Sequence, residues 1–271
     1  MRSLLLCCIL LCGFIESRAQ TIRTPVGAAY THLTTYGGQH RDVFGFSGNQ
    51  AALASFTSFT AGLYGEKRFL LNEMSYYTGA VVIPSSAGAF GLKGDYFGSA
   101  AYNESAIGLA YARRLTESVD LGVQFNYNMV NISGYGNAGA VNFDVGLLLH
   151  LTEQLRAGVH AYNPTGAKLG KNEEEKLPAI YSLGFGYDAS DKFYMQAELE
   201  KVEDRPLNVN AGLQYYFDKK LLARAGVSTA SSSFFLGLGF QMNALRLDAT
   251  ANVHPQLGLT PGLQLIYEVD K

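Results

Sequence analysis

From about residue 56 to the end of the chain, hydrophobic and polar positions alternate with a period of two. In Val119–Met129 one face is Val119, Leu121, Val123, Phe125, Tyr127 and Met129, and the other is Asp120, Gly122, Gln124, Asn126 and Asn128. Val141–Leu151, Leu207–Phe217 and Leu245–Val253 repeat the pattern, as do Phe193–Leu199 and Phe234–Met242. Such alternation marks strands with two different faces. About fourteen segments show it, near 56–66, 74–83, 86–97, 103–114, 118–130, 139–151, 155–163, 178–188, 192–202, 207–217, 221–229, 233–242, 245–254 and 260–269. Most run about ten residues, the length of a tilted strand crossing a bilayer.

The connections alternate as well. Thr116-Glu117, Thr152–Gln154, Ala189–Asp191, Asp218–Lys220 and Asn243-Ala244 are short. Between them fall the longer Asn131–Ala138, Pro164–Leu177, Glu203–Pro206, Thr229–Ser232 and Pro255–Leu259. Outer-membrane barrels sort their loops this way, with short periplasmic turns and longer outer loops. Aromatic residues of the apolar face gather at strand ends: Tyr111, Tyr187, Phe193, Tyr215, Phe217, Phe240 and Tyr267 beside the short turns, and Tyr127, Phe143, Tyr181 and Phe234 at the other end. Two aromatic girdles around an aliphatic band suit the two membrane interfaces. In lipid every backbone polar group needs a partner, so strands can span only as a closed barrel. The fold expected is all-β, a transmembrane antiparallel barrel of about fourteen strands over residues 55–271. Its apolar face meets lipid, and both barrel ends lie on the periplasmic side.

Composition narrows the picture further. The chain of 271 residues carries 21 Lys+Arg and 23 Asp+Glu, too balanced for the basic patch a nucleic-acid partner needs. Met1-Arg2-Ser3 followed by the apolar Leu4–Ile15 and then Ser17-Arg18-Ala19 has the layout of a secretory signal peptide over 1–19, too short for a spanning helix. Cys7, Cys8 and Cys12 leave with it, so the mature chain has no disulfide, thiolate metal site or cysteine nucleophile. The destination expected is the outer membrane of a Gram-negative bacterium.

Candidate chemistry is sparse. Gly134-Tyr135-Gly136-Asn137-Ala138-Gly139 fits G-x-G-x-x-G, but a dinucleotide site needs a helix after it, and a strand follows; it reads as an outer loop. No cofactor, metal motif or catalytic triad stands out, and an enzyme is not expected. The inward face does carry charge. Across short turns Arg114 should oppose Asp120, His150 should oppose Arg156, and Arg246 should oppose Gln241. Arg156, His160, Glu198, Glu200, Arg224, Arg246 and Asp248 are the candidates to line the lumen. Inside a barrel such charges must pair or meet water. They serve either as a hydrogen-bonded framework or as a polar pathway.

Residues 20–54 alternate poorly and are glycine-rich, and a segment preceding the first strand can fill a lumen as a plug. Asn49 is placed to cap a short helical turn. Gly48-Asn49-Gln50-Ala51-Ala52-Leu53-Ala54 resembles the N-P-A-x-L-A segment before the barrel in FadL-type fatty-acid transporters and the related PorV/PorQ proteins of type IX secretion, with Gln50 where that group has Pro. Ala251–Pro261 resembles the last hairpin of the same group. The resemblance implies a plug motif at Asn49, Ala51 and Leu53. It also implies an inward kink of the third strand, for which Gly91 and Gly94 offer backbone freedom. Two functions follow from it: passage of small, hydrophobic compounds across the outer membrane, or the binding of secretion-system partners or cargo.

Overall fold

The computed structural model describes residues 26–170 and 175–269; the expected signal peptide lies outside the described residues. Fourteen strands form a closed barrel. In chain order they are β1 (Thr60–Lys67), β2 (Ser75–Ser85), β3 (Gly88–Gly98), β4 (Tyr102–Thr116), β5 (Val119–Ile132), β6 (Gly136–His150) and β7 (Leu155–Tyr162), then, after the small loop strands β8 (Lys168–Leu169) and β9 (Glu175–Lys176), β10 (Ile180–Asp188), β11 (Phe193–Val202), β12 (Asn208–Tyr216), β13 (Leu221–Ser228), β14 (Ser233–Met242), β15 (Leu245–His254) and β16 (Gly258–Glu268). Each barrel strand pairs antiparallel with its chain neighbours, and β1 closes the ring on β16 from Thr60–Glu268 to Glu66–Gly262. No helix among the described residues is long and apolar enough to cross a membrane.

The two faces fall as the alternation requires. On β5, Phe125, Tyr127 and Met129 are exposed while Asp120, Gln124, Asn126 and Asn128 are buried. Leu63, Ile107, Leu238 and Leu263 all stand about 60% exposed on the outside. In water such a surface would aggregate; in hydrocarbon it is solvated, and closure leaves no free edge. The register pairs Arg114 with Asp120, His150 with Arg156 and Gln241 with Arg246, as the turn lengths predict.

One expectation needs correcting. The connection expected over Asn131–Ala138 shrinks to 133–135, because the β5–β6 ladder runs on to Ile132–Gly136. Only Gly134 and Tyr135 of the glycine-rich motif lie in the turn; Gly136–Gly139 belong to β6. Phe143 therefore sits mid-strand opposite Phe125 and not in a girdle. At the expected kink of β3 the pairing is continuous. Its ladders run through Gly91 and Gly94 without a shift on both sides, Gly91 opposite Val82 and Ala110, Gly94 opposite Gly79 and Ile107.

Candidate functional site

Residues 26–56 fold as short turns, the helical turns Ala28–Thr31 and Gly45–Gly48 and the 3-10 helix Gln50–Ser55. Their side chains meet the inward face of strands all round the barrel. The sequence makes room for them with glycine. A Cβ at Gly184 or Gly186 would overlap Tyr36, one at Gly237 would overlap Tyr30, and one at Gly146 would overlap the Asn49 amide. At Gly122 it would strike the Gln50–Ala51 backbone. These glycines admit close backbone approach, a recognised use of glycine within strands.

Four polar anchors tie the segment to the wall. In the first, Asp42 Oδ2 accepts from Arg224 Nη2 at 2.7 Å and from Arg246 Nη2 at 3.0 Å. Arg246 Nε also donates to Asp248 Oδ1 at 3.0 Å, and Asp248 Oδ2 accepts from the Tyr30 hydroxyl at 3.0 Å. The Arg224 guanidinium lies over the Tyr30 ring, 5.0 Å from its centroid. The Asp42 and Arg224 side chains are wholly buried. Burial alone would raise the Asp42 carboxyl, but the two guanidiniums outweigh it and hold the group below the usual carboxylate range.

The second anchor is Asp188, the last residue of β10. It accepts from Gly38 N at 2.7 Å and contacts His40 Nδ1 at 2.8 Å, while Arg156 Nη1 donates to Gly37 O at 2.8 Å. His40 packs near the rings of Tyr194 and Tyr216. In the third, the Tyr36 hydroxyl donates to Glu198 Oε2 at 2.6 Å, and Asn210 Nδ2 donates to the other carboxylate oxygen at 3.1 Å. Burial, with the Glu198 carboxylate beside it, pushes the Tyr36 phenol well above its ordinary value. In the fourth, Glu66 takes the backbone N–H groups of Val26 and Gly27 at 2.9 and 2.7 Å.

Of the charged lumen candidates, Arg156, Glu198, Arg224, Arg246 and Asp248 thus all hold this segment. Glu200 instead accepts from Asn208 at 3.3 Å. His160 is buried on the inward face of β7, opposite Gly146 and Ser182. Glu198 and Glu200 lie apart from the Arg224, Arg246 and Asp248 cluster. Asn49 caps the 3-10 helix, its Oδ1 accepting from Ala51 N at 3.0 Å, and its Nδ2 donates to Leu147 O and Val159 O at 3.1 Å each. Leu53 packs on Gly91. Asp42, Asp188, Glu66 and Tyr36 were not picked out from the sequence; Asp42 and Tyr36 lie in a non-alternating segment that gives no periodic signal, and Asp188 and Glu66 stand at or near strand ends.

Toward the opposite end of the bore, described residues of the β7–β10 connection pack on the wall. Leu169 and Leu177 pack on the inward-facing Val130 and Ala140. Asn163 Nδ2 donates to Leu177 O at 2.8 Å, and Asn163 Oδ1 accepts from Ala167 N at 2.9 Å. Below lies a ladder of amides: Asn128 donates to Asn142 at 2.6 Å, and Asn142 and Asn126 donate to Asp144 at 3.0 and 2.8 Å. No group of three His, Cys, Asp or Glu that could hold a metal occurs among the described residues.

The profile of the family described as type IX secretion system membrane protein PorP/SprF matches residues 86–254. No curated protein matches the chain. Among solved structures it is similar to a FadL homologue of Pseudomonas aeruginosa, at 14% identity and a TM-score of 0.57, covering 90% of this chain and 96% of that one. It is also similar to the toluene transporter TodX of P. putida, at 10% identity and a TM-score of 0.59, covering 89% and 98%. At such identities the likeness is one of fold, the outer-membrane barrel of FadL type.

Proposed function

Because the chain belongs to the PorP/SprF family of type IX secretion system membrane proteins, we propose that it serves that machinery in the outer membrane by binding protein partners, and that it does not conduct solutes. Residues 26–54 act as a resident plug, the short turns face the periplasm, and the connection between β7 and β10 belongs to the outer side. The observation that carries the reading is the occupied bore: Tyr30, Tyr36, Phe44, Phe46 and Leu53 are buried within it, held by the anchors at Asp42, Asp188, Glu198 and Glu66. Passage of hydrophobic compounds, the work that the name of TodX states for that protein, needs a cleared bore or a gap in the wall. The unbroken ladders of β3 weigh against a gap at Gly91 or Gly94.

The test is conductance in planar bilayers alongside secretion in cells. Wild type should give no stable conductance steps, and a variant lacking residues 27–48 should give them. Deleting the gene should abolish secretion of type IX cargo and leave uptake of toluene and long-chain fatty acids unchanged. Steady wild-type conductance, or loss of uptake with secretion intact, would return the weight to passage.

A further inference from the structure

Inward-facing glycines such as Gly122, Gly146, Gly184 and Gly237 are explained by atoms of this chain, which occupy the space a Cβ would need. Away from strand ends, and apart from Gly139 toward the outer end of β6, the outward-facing glycines are Gly65, Gly79 and Gly94, on three neighbouring strands. Tyr77 packs over Gly65, where a Cβ would come within 3.1 Å of its ring, but Gly79 and Gly94, paired directly across β2 and β3, are left largely open. One cross-strand row runs Leu63, Gly79, Gly94, Ile107 over β1 to β4, and the next runs Gly65, Tyr77, Tyr96, Ser105. A Cβ at Gly94 would meet nothing within 4 Å, and one at Gly79 would approach only the tip of Leu63 and one carbonyl. The result is a groove of about 690 Å³ on the outside of the wall. Its floor is the Gly79–Gly94 pair, Leu63 and Ile107 flank it, and Tyr77 and Tyr96 stand on the side of the outer loops.

We propose that this groove seats an acyl chain of a membrane lipid. Glycine in a strand weakens it and often marks a place where a ligand approaches the backbone closely, and at the Gly79–Gly94 floor only the tip of Leu63 comes near. The groove is continuous with the lipid-facing band on either side, so hydrocarbon enters without displacing protein. Its charged neighbour Asp95 is turned inward, where it takes the Tyr76 hydroxyl at 2.6 Å and pairs with Lys93 at 3.2 Å. Tyrosines suit the level where headgroups begin, so Tyr77 and Tyr96 place the chain's attached end toward the outer loops. A slot of this size lies within the range of small-molecule sites.

The full-length protein is reconstituted in phosphatidylethanolamine–phosphatidylglycerol vesicles doped with a phospholipid carrying a mid-chain diazirine, photolysed, and its adducts mapped by mass spectrometry. Peptides containing Gly79 and Gly94 should be labelled several-fold more than those containing Leu199 and Leu213 on other strands. The Gly79→Leu/Gly94→Leu variant, shown to be folded by its heat-modifiable gel shift, should fall to that reference level. Should the pair fail to fold, Gly94→Val alone, whose Cβ enters open space, should still lower the labelling. Equal labelling of all walls in wild type overturns the proposal. So does a photocrosslinker at Ile107 that captures a membrane protein in whole cells, which would assign the groove to a protein partner.

Discussion

The bore is filled from two ends by different chemistry. At the short-turn end, the buried Asp42 meets Arg224 and Arg246, and Asp188 gathers the 38–40 backbone. At the outer end, Leu169 and Leu177, the Asn163 amide and an exposed Lys176–Glu203 ion pair hold the 163–179 connection. The connection is tethered by β7 on one side and β10 on the other, so its position is largely given and no buried charge is needed to seat it. Residues 26–56 pass into the wall only at β1 and must find their place against strands as distant as β15. Buried charges make such a search selective: a misplaced segment leaves ions unpaired, whereas a misplaced leucine still finds hydrocarbon.

The contrast can be broken most forcefully at Asp42. Asp42→Ala leaves the buried Arg224 and Arg246 guanidiniums to share Asp248, and breaking a buried pair from one side costs about 3–5 kcal/mol. Hydrogen exchange of residues 27–50 in detergent should rise steeply, with 163–177 unchanged. Wild-type protection in that variant would show that packing, and not charge, places the segment. Next comes Leu177→Ala at the outer end. Truncating a fully buried leucine costs about 2–5 kcal/mol, and the loosening should stay within 163–179. If residues 27–50 loosen too, the two closures are coupled through the amide ladder and the distinction fails.

The smallest effect is one of pH. Burial, with Lys93 and His160 near it, lowers His32 to about 3. A histidine lowered on folding contributes stability in full above its unfolded value of roughly 6.5, and that contribution is lost as pH falls from there toward 3. Protection of residues 27–50 should therefore decline modestly between pH 7 and 5, and His32→Gln should flatten the decline. The 163–179 connection contains no histidine and should not follow. Asp42, held low by its arginines, should stay charged throughout this range.

These experiments address the part of the molecule that was least legible in the sequence. Strand positions and faces could be read because a two-sided wall imposes period two on every strand, from Val119–Met129 to Leu245–Val253. The short turns fixed the register at Arg114–Asp120 and His150–Arg156. The upper β5–β6 ladder was hidden because Gly134–Gly139 has turn chemistry, while the actual turn needs only three residues. The segment inside the bore has no period because the wall dictates its shape. Of its partners, only those on the alternating strands, such as Arg224 and Arg246, could be marked as inward and charged; their shared carboxylate could not. Glycines on the inward face carried a usable signal, since small residues recurring where polar ones are expected imply that something else fills the space.

The Asp42–Arg246 contact joins residues 204 positions apart, and it has a consequence for how the molecule is made. Arg246 lies on the penultimate strand, so most of the chain must be synthesised and brought to the membrane before Asp42 can meet it. Contacts of such separation form late and slowly, because loop closure must come first. Until then, the apolar and charged side chains of residues 26–56 have no wall to pack against and remain available to chaperones. The first segment of the described chain is thus among the last to be secured, and a truncation that removes β15 should leave it as exposed as in the unfolded chain.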